Sequence, residues 1–358
     1  MGKFILLGTA KGLVVYRRSS AGWRYHQHNF LGIPVSMALQ DPHSGYWWAC
    51  LDHKHWGPKM QYSSDQGITW TEVTVPKYPD NAEVEPGIPA TLRYIWTLVF
   101  GNKQGEIFVG TEPGGLFVSL DGAQSFQLVK SLWDHPTRPQ HWFGGGRNYA
   151  GIHSIVVDPD TSDHVYVGVS CAGVFETTNG GDTWEVRNQG LRADFLPNPQ
   201  AVAGHDPHMM FACKSMPSVL WQQNHCGVYR STDAGVSWQD VTDREDRARY
   251  GFTLGIDHKD PLKAWVVPAT SDSQRIAVDQ SLFVMYTKDG GKTWEEQRQG
   301  LPQHHCFDIV LRHALDVEDC ALVLGTSGGS LYVSDDCGIS WQSLNHHLPR
   351  IFSARFTK

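Results

Sequence analysis

The sequence of 358 residues has no strongly basic segment and no apolar run long enough to cross a bilayer. It carries 30 Lys and Arg against 37 Asp and Glu, a formal net charge of −7, which disfavours a nucleic-acid partner because phosphate binding needs a basic footprint. It also lacks a phosphate-cradling loop, a dinucleotide fingerprint, a G-x-S-x-G elbow and an H-E-x-x-H motif. We therefore expect neither nucleic acid nor a membrane among its partners.

Cysteine is scarce, with seven copies and no C-x-x-C spacing. An odd number without such spacing favours buried thiols in a reducing compartment over a disulfide framework, so we expect a cytoplasmic protein. The apolar N-terminal segment is interrupted by Lys11 and no small-residue cleavage site follows it. We therefore interpret it as strand rather than as a signal peptide.

An eight-residue turn recurs six times along the chain. Its first copy, residues 63–70, reads S-x-D-x-G-x-T-W, and the Asp or Asn position returns at intervals of 47 to 58 residues. An aromatic residue follows that position five residues later in every copy. Repetition at this spacing indicates a repeat architecture. The six pairs are Asp65 and Trp70, Asp121 and Phe126, Asn179 and Trp184, Asp233 and Trp238, Asp289 and Trp294, and Asp336 and Trp341.

The residue types of this turn suit a hairpin. The carboxylate can accept backbone N–H bonds, the hydroxyls can close the turn, and the glycine supplies a positive φ. The acidic residues that a calcium loop needs at alternate positions are missing, so we interpret the turn as structural. A seventh copy without the polar residues lies at the start, where Leu13 precedes Trp23 by ten residues, as Leu331 precedes Trp341 in the last copy.

Each unit repeats the pattern of four short strands, predicted in the fourth unit at residues 152–158, 165–169, 174–177 and 184–187. The first unit lacks its innermost strand, and residues 351–356 form a strand with no other place. We therefore predict an all-β fold, a seven-bladed β-propeller of four-stranded antiparallel blades. Residues 1–358 form one domain, and the C-terminal strand completes the first blade and removes an open edge. We expect a monomer, since a ring closed by its own termini needs no partner chain to fold.

The boxes resemble those of the Asp-box, or bacterial neuraminidase repeat, superfamily, which includes sialidases, sortilin-type receptors, xyloglucan-cleaving enzymes and a plant photosystem assembly factor. More closely, the chain resembles a bacterial family labelled sialidase-like or glycosyl hydrolase, whose substrate is not established. The segments that carry this closer resemblance are residues 131–139, 144–146, 221–225 and 310–316.

The resemblance to sialidases fails at the substrate-binding arginine. Sialidases carry a Phe/Tyr-Arg-Ile-Pro motif, whereas the nearest segment here is Leu31-Gly32-Ile33-Pro34, with glycine in place of arginine. Asp-boxes indicate a fold rather than a chemistry. We therefore expect a sialidase-like propeller without true sialidase activity.

In such a propeller the loops opposite the boxes form the face on which function usually lies. These loops enter each first strand or join the second and third strands. The long loop 130–153 combines aromatic rings with polar groups, which suits a sugar, although its two tryptophans can instead simply fill the gap over the channel. The candidate ligand-binding residues on this face are His53, His55, Trp56, Trp133, His135, Arg138, Trp142, Arg147, His153, Cys171, His208, Asn224, His225, Arg275 and His305.

Histidine is abundant, with 18 copies. The segments 53–55 and 205–208 each offer two histidines as metal ligands, and histidines of other blades can join them. No local signature fixes such a site, and the alternative is that these rings bond backbone groups. We predict no cofactor and leave a divalent metal open.

Acid–base chemistry is the other enzymatic route. Glycoside hydrolysis needs two carboxyl groups about 5–10 Å apart, and Glu112, Asp134 and Asp206 are the candidates on the predicted face. Cys171 is a weaker candidate nucleophile, for which a buried structural thiol is the alternative.

The sequence leaves two functions open. The first is a propeller that binds a small polar ligand, a carbohydrate or derivative, and hydrolyses it as a glycoside hydrolase would. The second is a non-catalytic scaffold that uses the same rim to hold a protein partner. A deep pocket with converging acids, histidines and arginines favours the first, and a shallow apolar mouth favours the second.

Overall fold

Runs of β-branched and aromatic residues between glycine-rich turns form strands where the repeat predicts them. A computed structural model describes residues 2–358, so Met1, the first residue of the predicted domain, lies outside the described residues. The described chain contains seven four-stranded antiparallel sheets. This confirms the predicted all-β, seven-bladed propeller.

The strands follow one another in chain order, four to a blade, with the first blade assembled from both ends of the chain. Blade 1 contains β1 (Phe4–Thr9), β2 (Gly12–Ser19), β3 (Gly22–Asn29) and β30 (Ile351–Thr357); blade 2 contains β4 (Val35–Gln40), β5 (Trp47–His53), β6 (Gly57–Ser63) and β7 (Thr71–Val73). Blade 3 contains β10 (Tyr94–Phe100), β11 (Ile107–Glu112), β12 (Leu116–Ser119) and β13 (Gln127–Leu128); blade 4 contains β14 (Ile152–Val157), β15 (Val165–Val169), β16 (Gly173–Thr177) and β17 (Glu185–Val186). Blade 5 contains β18 (Pro207–Cys213), β19 (Met216–Asn224), β20 (Gly227–Ser231) and β21 (Gln239–Asp240); blade 6 contains β22 (Gly251–Ile256), β23 (Ala264–Pro268), β24 (Val284–Thr287) and β25 (Glu295–Gln297). Blade 7 contains β26 (Leu315–Glu318), β27 (Ala321–Gly325), β28 (Leu331–Ser334) and β29 (Gln342–Asn345).

The innermost strands of neighbouring blades pack against one another around the ring. Each of these strands contacts the next in the order β30, β4, β10, β14, β18, β22 and β26, and β26 in turn contacts β30. The predicted closure is confirmed, because β30 pairs antiparallel with β1, with Leu7 opposite Ala354 and Thr9 opposite Ile351. Ile351 and Ala354 are fully buried, so the last strand contributes to the core as well as to the sheet.

Each of the six boxes is closed by the same pattern of hydrogen bonds. In blade 2 the Asp65 carboxylate accepts the backbone N–H of Thr69 at 2.9 Å and the hydroxyls of Thr69 and Ser63 at 2.6 and 2.7 Å. The Ser63 hydroxyl oxygen also accepts the N–H of Gly67, whose φ of 85° is one that glycine adopts without strain. The hydrogen bonds from Thr69 and Ser63 lower the pKa of Asp65 to about 2. The box is thus closed by a carboxylate that stays ionised.

The aromatic residue of a box can connect its blade to the preceding one. The indole Nε1 of Trp238 donates to the carbonyl oxygen of Arg187 at 2.8 Å, and Trp294 donates to Val241 at the same distance. Each acceptor lies at or just after the outermost strand of the blade before. A box therefore fixes both its own turn and the contact between two blades.

The loops at the other end of the blades are the longer ones. The first and third connections of an antiparallel blade lie at one end, so the boxes share that end, while the second connection and the entry loop lie at the opposite end. The loop before β10 contains a two-stranded ribbon, β8 (Glu83–Glu85) with β9 (Ile88–Pro89). The loop before β14 contains two one-turn helices, α1 (Lys130–Trp133) and α2 (Arg138–His141), and no helix in residues 2–358 is long and apolar enough to span a membrane.

The cysteines differ from the prediction at one place. Five are buried and free, whereas Cys320 and Cys337 form a disulfide, so the expectation of thiols throughout is wrong for these two. Cys320 lies in the turn between β26 and β27, and Cys337 lies in the box between β28 and β29. These are the first and third connections of blade 7, which share one end of the blade, and the N–H of Cys337 donates to the carbonyl oxygen of Cys320 at 2.9 Å.

We expect deletion of residues 350–358 to destabilise the whole ring, because it leaves β1 with an unpaired edge and exposes the core beside β4 and β26. Thermal unfolding and limited proteolysis measure the effect, with deletion of the exposed Lys358 alone as the control. A soluble truncated protein with an unchanged, cooperative transition contradicts this closure.

The boxes predict a pH dependence of stability. Hydrogen bonds from Thr293 lower the pKa of Asp289 to about 2, below the unfolded value of about 4. The Asp289 contribution is therefore complete above about pH 4 and is lost as pH falls towards 2. Since Asn179 occupies the same position in blade 4, we expect Asp289→Asn to fold and to reduce this loss, and Asp289→Ala to cost about 1–2 kcal/mol at pH 7 through its missing hydrogen bonds.

Urea unfolding between pH 2 and 7 measures both variants. Asp182→Asn is the matched control, because Asp182 is an exposed box residue whose carboxylate accepts none of the described hydrogen bonds of its box. Equal pH dependence in the wild type and Asp289→Asn contradicts the assignment.

Candidate functional site

Two adjoining cavities open at the ends of the blades opposite the boxes. The first, which we call the polar cavity, has a volume of about 410 Å³ and is formed mainly by loops of blades 4 to 7. The second, the tryptophan cavity, has a volume of about 760 Å³ and lies against the loop before β14. Phe143, Gly144 and Tyr149 line both, so this loop forms the wall between them.

The polar cavity takes its residues from the two kinds of loop that the topology brings to this end. Entry loops before β14, β18, β22 and β26 alternate with loops that join second and third strands in blades 4, 5 and 6. The chemically active side chains among its lining residues are Arg147, His153, Ser170, Cys171, Asp206, His208, His225, Tyr250, Asp272, Arg275 and Arg312.

Asp206, His208 and His225 form a cluster in the wall of the polar cavity. Asp206 immediately precedes β18, and His208 is the second residue of that strand. His225 lies in the turn between β19 and β20, where its N–H donates to the carbonyl oxygen of Asp206 at 3.0 Å. The Oδ2 atom of Asp206 lies 3.2 Å from Nε2 of His208 and 3.4 Å from Nδ1 of His225. Three ligand-type atoms thus lie within 4.8 Å of one another.

The carboxylate of Asp206 is ionised. Burial raises its pKa, but the opposing effects of His208, His225 and Arg312 are larger and hold the pKa well below its ordinary range. Its second oxygen, Oδ1, accepts the N–H of Cys171 at 3.2 Å. Each carboxylate oxygen therefore has its own partners: Oδ1 bonds the backbone, and Oδ2 faces the two histidines.

Arg312 is the arginine of the polar cavity that forms no ion pair with another described residue, although its charge and that of Asp206 act on each other. Its guanidinium lies 5.4 Å from the ring of Trp96 and 5.1 Å from the ring of Phe252. Its Nε is buried without a hydrogen-bond partner, and within residues 2–358 its side chain forms no ion pair. Burial lowers the pKa of Arg312 from its usual value, although an arginine remains charged at neutral pH.

The other two arginines of the polar cavity are paired. Arg147 lies 3.3 Å from the carboxylate of Glu112 and 3.9 Å from the ring centre of Tyr94. Arg275 forms an ion pair with Asp272, whose Oδ1 also accepts the hydroxyl of Tyr250 at 3.2 Å. Among the described residues, Arg312 is therefore the one of these three arginines that has no direct ion pair.

The three candidate acids do not meet in one cavity. Asp206 lines the polar cavity, whereas Asp134 lines the tryptophan cavity and pairs with Lys130. Glu112 is buried beneath Arg147 and lines neither cavity, and burial raises its pKa despite that arginine. The second acid lining the polar cavity is Asp272, which the sequence did not single out.

The tryptophan cavity is lined by the loop 130–153, whose aromatic and polar residues were predicted to suit a sugar. Arg138 lies 3.5 Å from the ring centre of Trp133 and 5.0 Å from that of Trp142, and it donates to the carbonyl oxygen of Gly114 at 3.0 Å. Burial lowers the pKa of Arg138 to about 10. His135 lines the same cavity, where its Nδ1 is 2.8 Å from the hydroxyl of Thr137. The two tryptophans thus sandwich an arginine and still face open space.

The remaining candidates lie elsewhere. His53 is the last residue of β5, His55 and Trp56 lie in the turn between β5 and β6, and all three line neither cavity. Asn224 is fully buried and bonds Gln222 and the N–H of Cys226, and His305 is exposed outside both cavities.

Several residues that line the polar cavity were not predicted from the sequence. Arg312 lies in one of the segments that carried the family resemblance, and its place just before a first strand is the signal that could have identified it. Trp96, Phe252 and Tyr250 lie in or beside first strands, where an aromatic residue looks like ordinary core. Only the three-dimensional structure, which brings residues of different blades to one cavity, distinguishes them from core residues.

The architecture and its turns define the class: this chain is a seven-bladed propeller with Asp-box repeats. Residues 61–72 and 285–296 match the model of the BNR/Asp-box repeat. These segments contain the boxes of blades 2 and 6.

Curated relatives point to one group of proteins. The chain is 26% identical over 226 residues to an oligoxyloglucan-reducing end-specific xyloglucanase of Emericella nidulans, which covers 55% of this chain and 26% of that protein. It is 25% identical over 248 residues to the xyloglucanase Xgh74A of Acetivibrio thermocellus, which covers 57% of this chain and 27% of that protein. The chain thus spans less than a third of the length of these relatives.

Solved structures agree on the fold. An ancestral GH74 enzyme superposes with a TM-score of 0.60 at 16% identity, over 99% of this chain and 40% of its own. YCF48 bound to D1 peptide superposes with a TM-score of 0.51 at 14% identity, over 95% of this chain and 88% of its own. At such identities the likeness concerns the fold alone.

We expect Cys171 to be unreactive in the folded protein. Burial, reinforced by the nearby Asp206, raises the pKa of its thiol, and a Cβ on Gly145 would lie 2.6 Å from its Sγ, which shows how closely the loop covers it. Peptide mapping after iodoacetamide treatment at pH 8 should show alkylation at least about 10-fold slower than in urea-unfolded chain. Alkylation at the unfolded rate contradicts the structural role and restores Cys171 as a nucleophile.

Proposed function

We propose that this propeller acts on carbohydrate, and that its ligand is a small acidic sugar or sugar derivative bound in the polar cavity. The curated relatives named xyloglucanases support the carbohydrate class. The acidic character of the ligand is inferred from the cavity itself.

The observation that carries this proposal is Arg312. An arginine that packs beside two aromatic rings without a direct ion pair is costly to the folded protein, because a charge removed from water needs compensation. A carboxylate or phosphate on a ligand supplies that compensation and can accept two parallel hydrogen bonds from the guanidinium. Arg147 and Arg275 line the same cavity and strengthen the positive potential that the ligand meets.

The aromatic lining supplies the surfaces on which a sugar ring can pack. Trp96, Tyr149, Tyr250 and Phe252 surround the charged groups, and Phe143 and Phe195 stand at the wall. Aromatic faces next to a few fixed polar groups are typical of small-molecule sites, and a volume of about 410 Å³ falls within their range. A cavity of this size therefore favours a small ligand over a polymer or a protein partner.

A hydrolytic reaction at this cavity depends on Asp206. The other acid of the cavity, Asp272, is engaged by Arg275 and Tyr250, so these two do not form the pair of free carboxylates that glycosidases use. The proposal accordingly concerns binding of the acidic sugar, and hydrolysis would use Asp206 with the adjoining histidines.

Arg312→Met tests the proposal through two opposite effects. We expect it to leave the melting temperature of the free protein unchanged or raised, because it removes an unpaired charge, and to weaken binding of an acidic sugar at least about 10-fold. Thermal shift and calorimetry with glucuronate, galacturonate, N-acetylneuraminate and glucose 6-phosphate measure binding, with glucose and xyloglucan oligosaccharides as neutral comparators.

Two variants serve as controls. Arg312→Lys keeps the charge and should retain part of the affinity, while Arg138→Gln alters the tryptophan cavity only and should retain all of it. Neutral sugars that bind as tightly as acidic ones, with no effect of Arg312→Met, contradict the acidic ligand. Well-folded protein that binds none of these sugars contradicts the whole proposal and favours the scaffold that holds a protein partner.

A further inference from the structure

We propose that Asp206, His208 and His225 bind one divalent metal ion at the wall of the polar cavity. This site goes beyond sugar binding and does not depend on it. Four features of the cluster support this site: the spacing of its ligand atoms, the fixed orientation of two of its ligands, the facing of two acceptor atoms, and its opening to the cavity.

The spacing of the ligand atoms matches a coordination sphere. An ion held at about 2.1 Å from each ligand places neighbouring ligand atoms about 3.0 Å apart in octahedral and 3.4 Å apart in tetrahedral geometry. The Asp206 Oδ2 atom lies 3.2 Å from His208 Nε2 and 3.4 Å from His225 Nδ1. The three atoms lie within 4.8 Å of one another, so one ion can reach all of them with small adjustments.

Partners outside the cluster fix two of the three ligands. The His208 ring stacks on Phe252, with centres 4.9 Å apart and planes inclined by 20°, and its Nδ1 donates to the carbonyl oxygen of Gly251. The N–H of Cys171 holds the other oxygen of Asp206. Histidine ligands of metals usually have their second nitrogen bound to such an oxygen, which sets the tautomer and the direction of the ring.

The same hydrogen bond leaves the contact between His208 and Asp206 in need of a positive centre, a metal ion or a second ring proton. When Nδ1 of His208 carries the proton that it gives to Gly251, Nε2 of the neutral ring presents a lone pair. That lone pair faces the Asp206 oxygen, another acceptor, at 3.2 Å, although both residues are more than nine-tenths buried. Two buried acceptors at this distance need a positive centre between them, which is either a bound metal or an extra proton on the ring.

The cluster is open on one side. The His225 side chain is 25% exposed and packs between Phe195 and Tyr250, with ring centres 5.0 and 5.2 Å away. Three protein ligands with a free side resemble a catalytic site, whereas structural zinc sites use four. Arg312 lines the same cavity, so an anionic oxygen of a ligand can be bound by the metal and by this arginine together.

The donor set selects the class of metal. Two imidazole nitrogens and one carboxylate oxygen suit Zn²⁺, Fe²⁺, Co²⁺ or Mn²⁺, while Ca²⁺ and Mg²⁺ prefer oxygen ligands. We therefore expect binding of the first group and none of Ca²⁺ under the same conditions.

The experiment uses the full chain freed of metal by chelator and titrated with Zn²⁺ by calorimetry, and with Co²⁺ by visible absorption. No sugar is present, so its result is independent of the proposed carbohydrate ligand. We expect one equivalent per chain, cobalt bands of a nitrogen–oxygen site, and a rise in melting temperature on binding. Replacing a ligand should weaken binding by at least about 100-fold, more than the loss caused by removing an outer partner.

His225→Ala is the principal variant, because its partly exposed side chain can be removed without opening the core. Asp206→Asn is the second, and circular dichroism and melting show whether each is folded. His305→Ala, at an exposed histidine outside both cavities, should bind as the wild type does. Folded wild type that binds neither Zn²⁺ nor Co²⁺ at millimolar concentration overturns the proposal and leaves an ion pair between Asp206 and a protonated His208. Equal affinity in wild type and His225→Ala overturns it as well.

Discussion

Antiparallel pairing within each four-stranded blade is the constraint on which the rest of the structure depends. It sends the first and third connections to one end of the ring and the second connection and the entry loop to the other. The short box turns, which close on an ionised aspartate, occupy the first end, and the long loops with arginine, histidine and aromatic residues occupy the second. The same sorting explains the disulfide, because Cys320 and Cys337 lie in the two connections of blade 7 that share an end.

The fold could be predicted because its determinants are local and repeated. An Asp or Asn, a small residue, a hydroxyl and an aromatic at fixed spacing define each box, and six copies indicate the ring. The closing strand β30 was found by elimination, since residues 351–356 had no other partner. The disulfide was not found, because residues 320 and 337 are brought together by the register of two strands and not by any cysteine motif.

The site could be predicted only in outline. Asp206 and His208 share one segment, and the sequence placed them on the right kind of loop, but their meeting with His225 depends on the pairing of β18 with β19. Arg312 comes from a blade two positions further round, and its importance lies in the absence of a direct ion pair, which no local pattern expresses. Glu112 illustrates the opposite error: a carboxylate on a promising loop is buried under Arg147 instead of facing the cavity.

Closure of the ring by β30 has a consequence for synthesis. Blade 1 contains residues from both ends of the chain. One edge of β1 therefore stays unpaired during translation until β30 has been synthesised, after the six other blades. Each of those blades is made from consecutive residues and can form by local pairing, but the ring as a whole cannot become cooperative until residue 351 has emerged. The cavity loops of blades 4 to 7 are thus complete before the scaffold that holds them rigid.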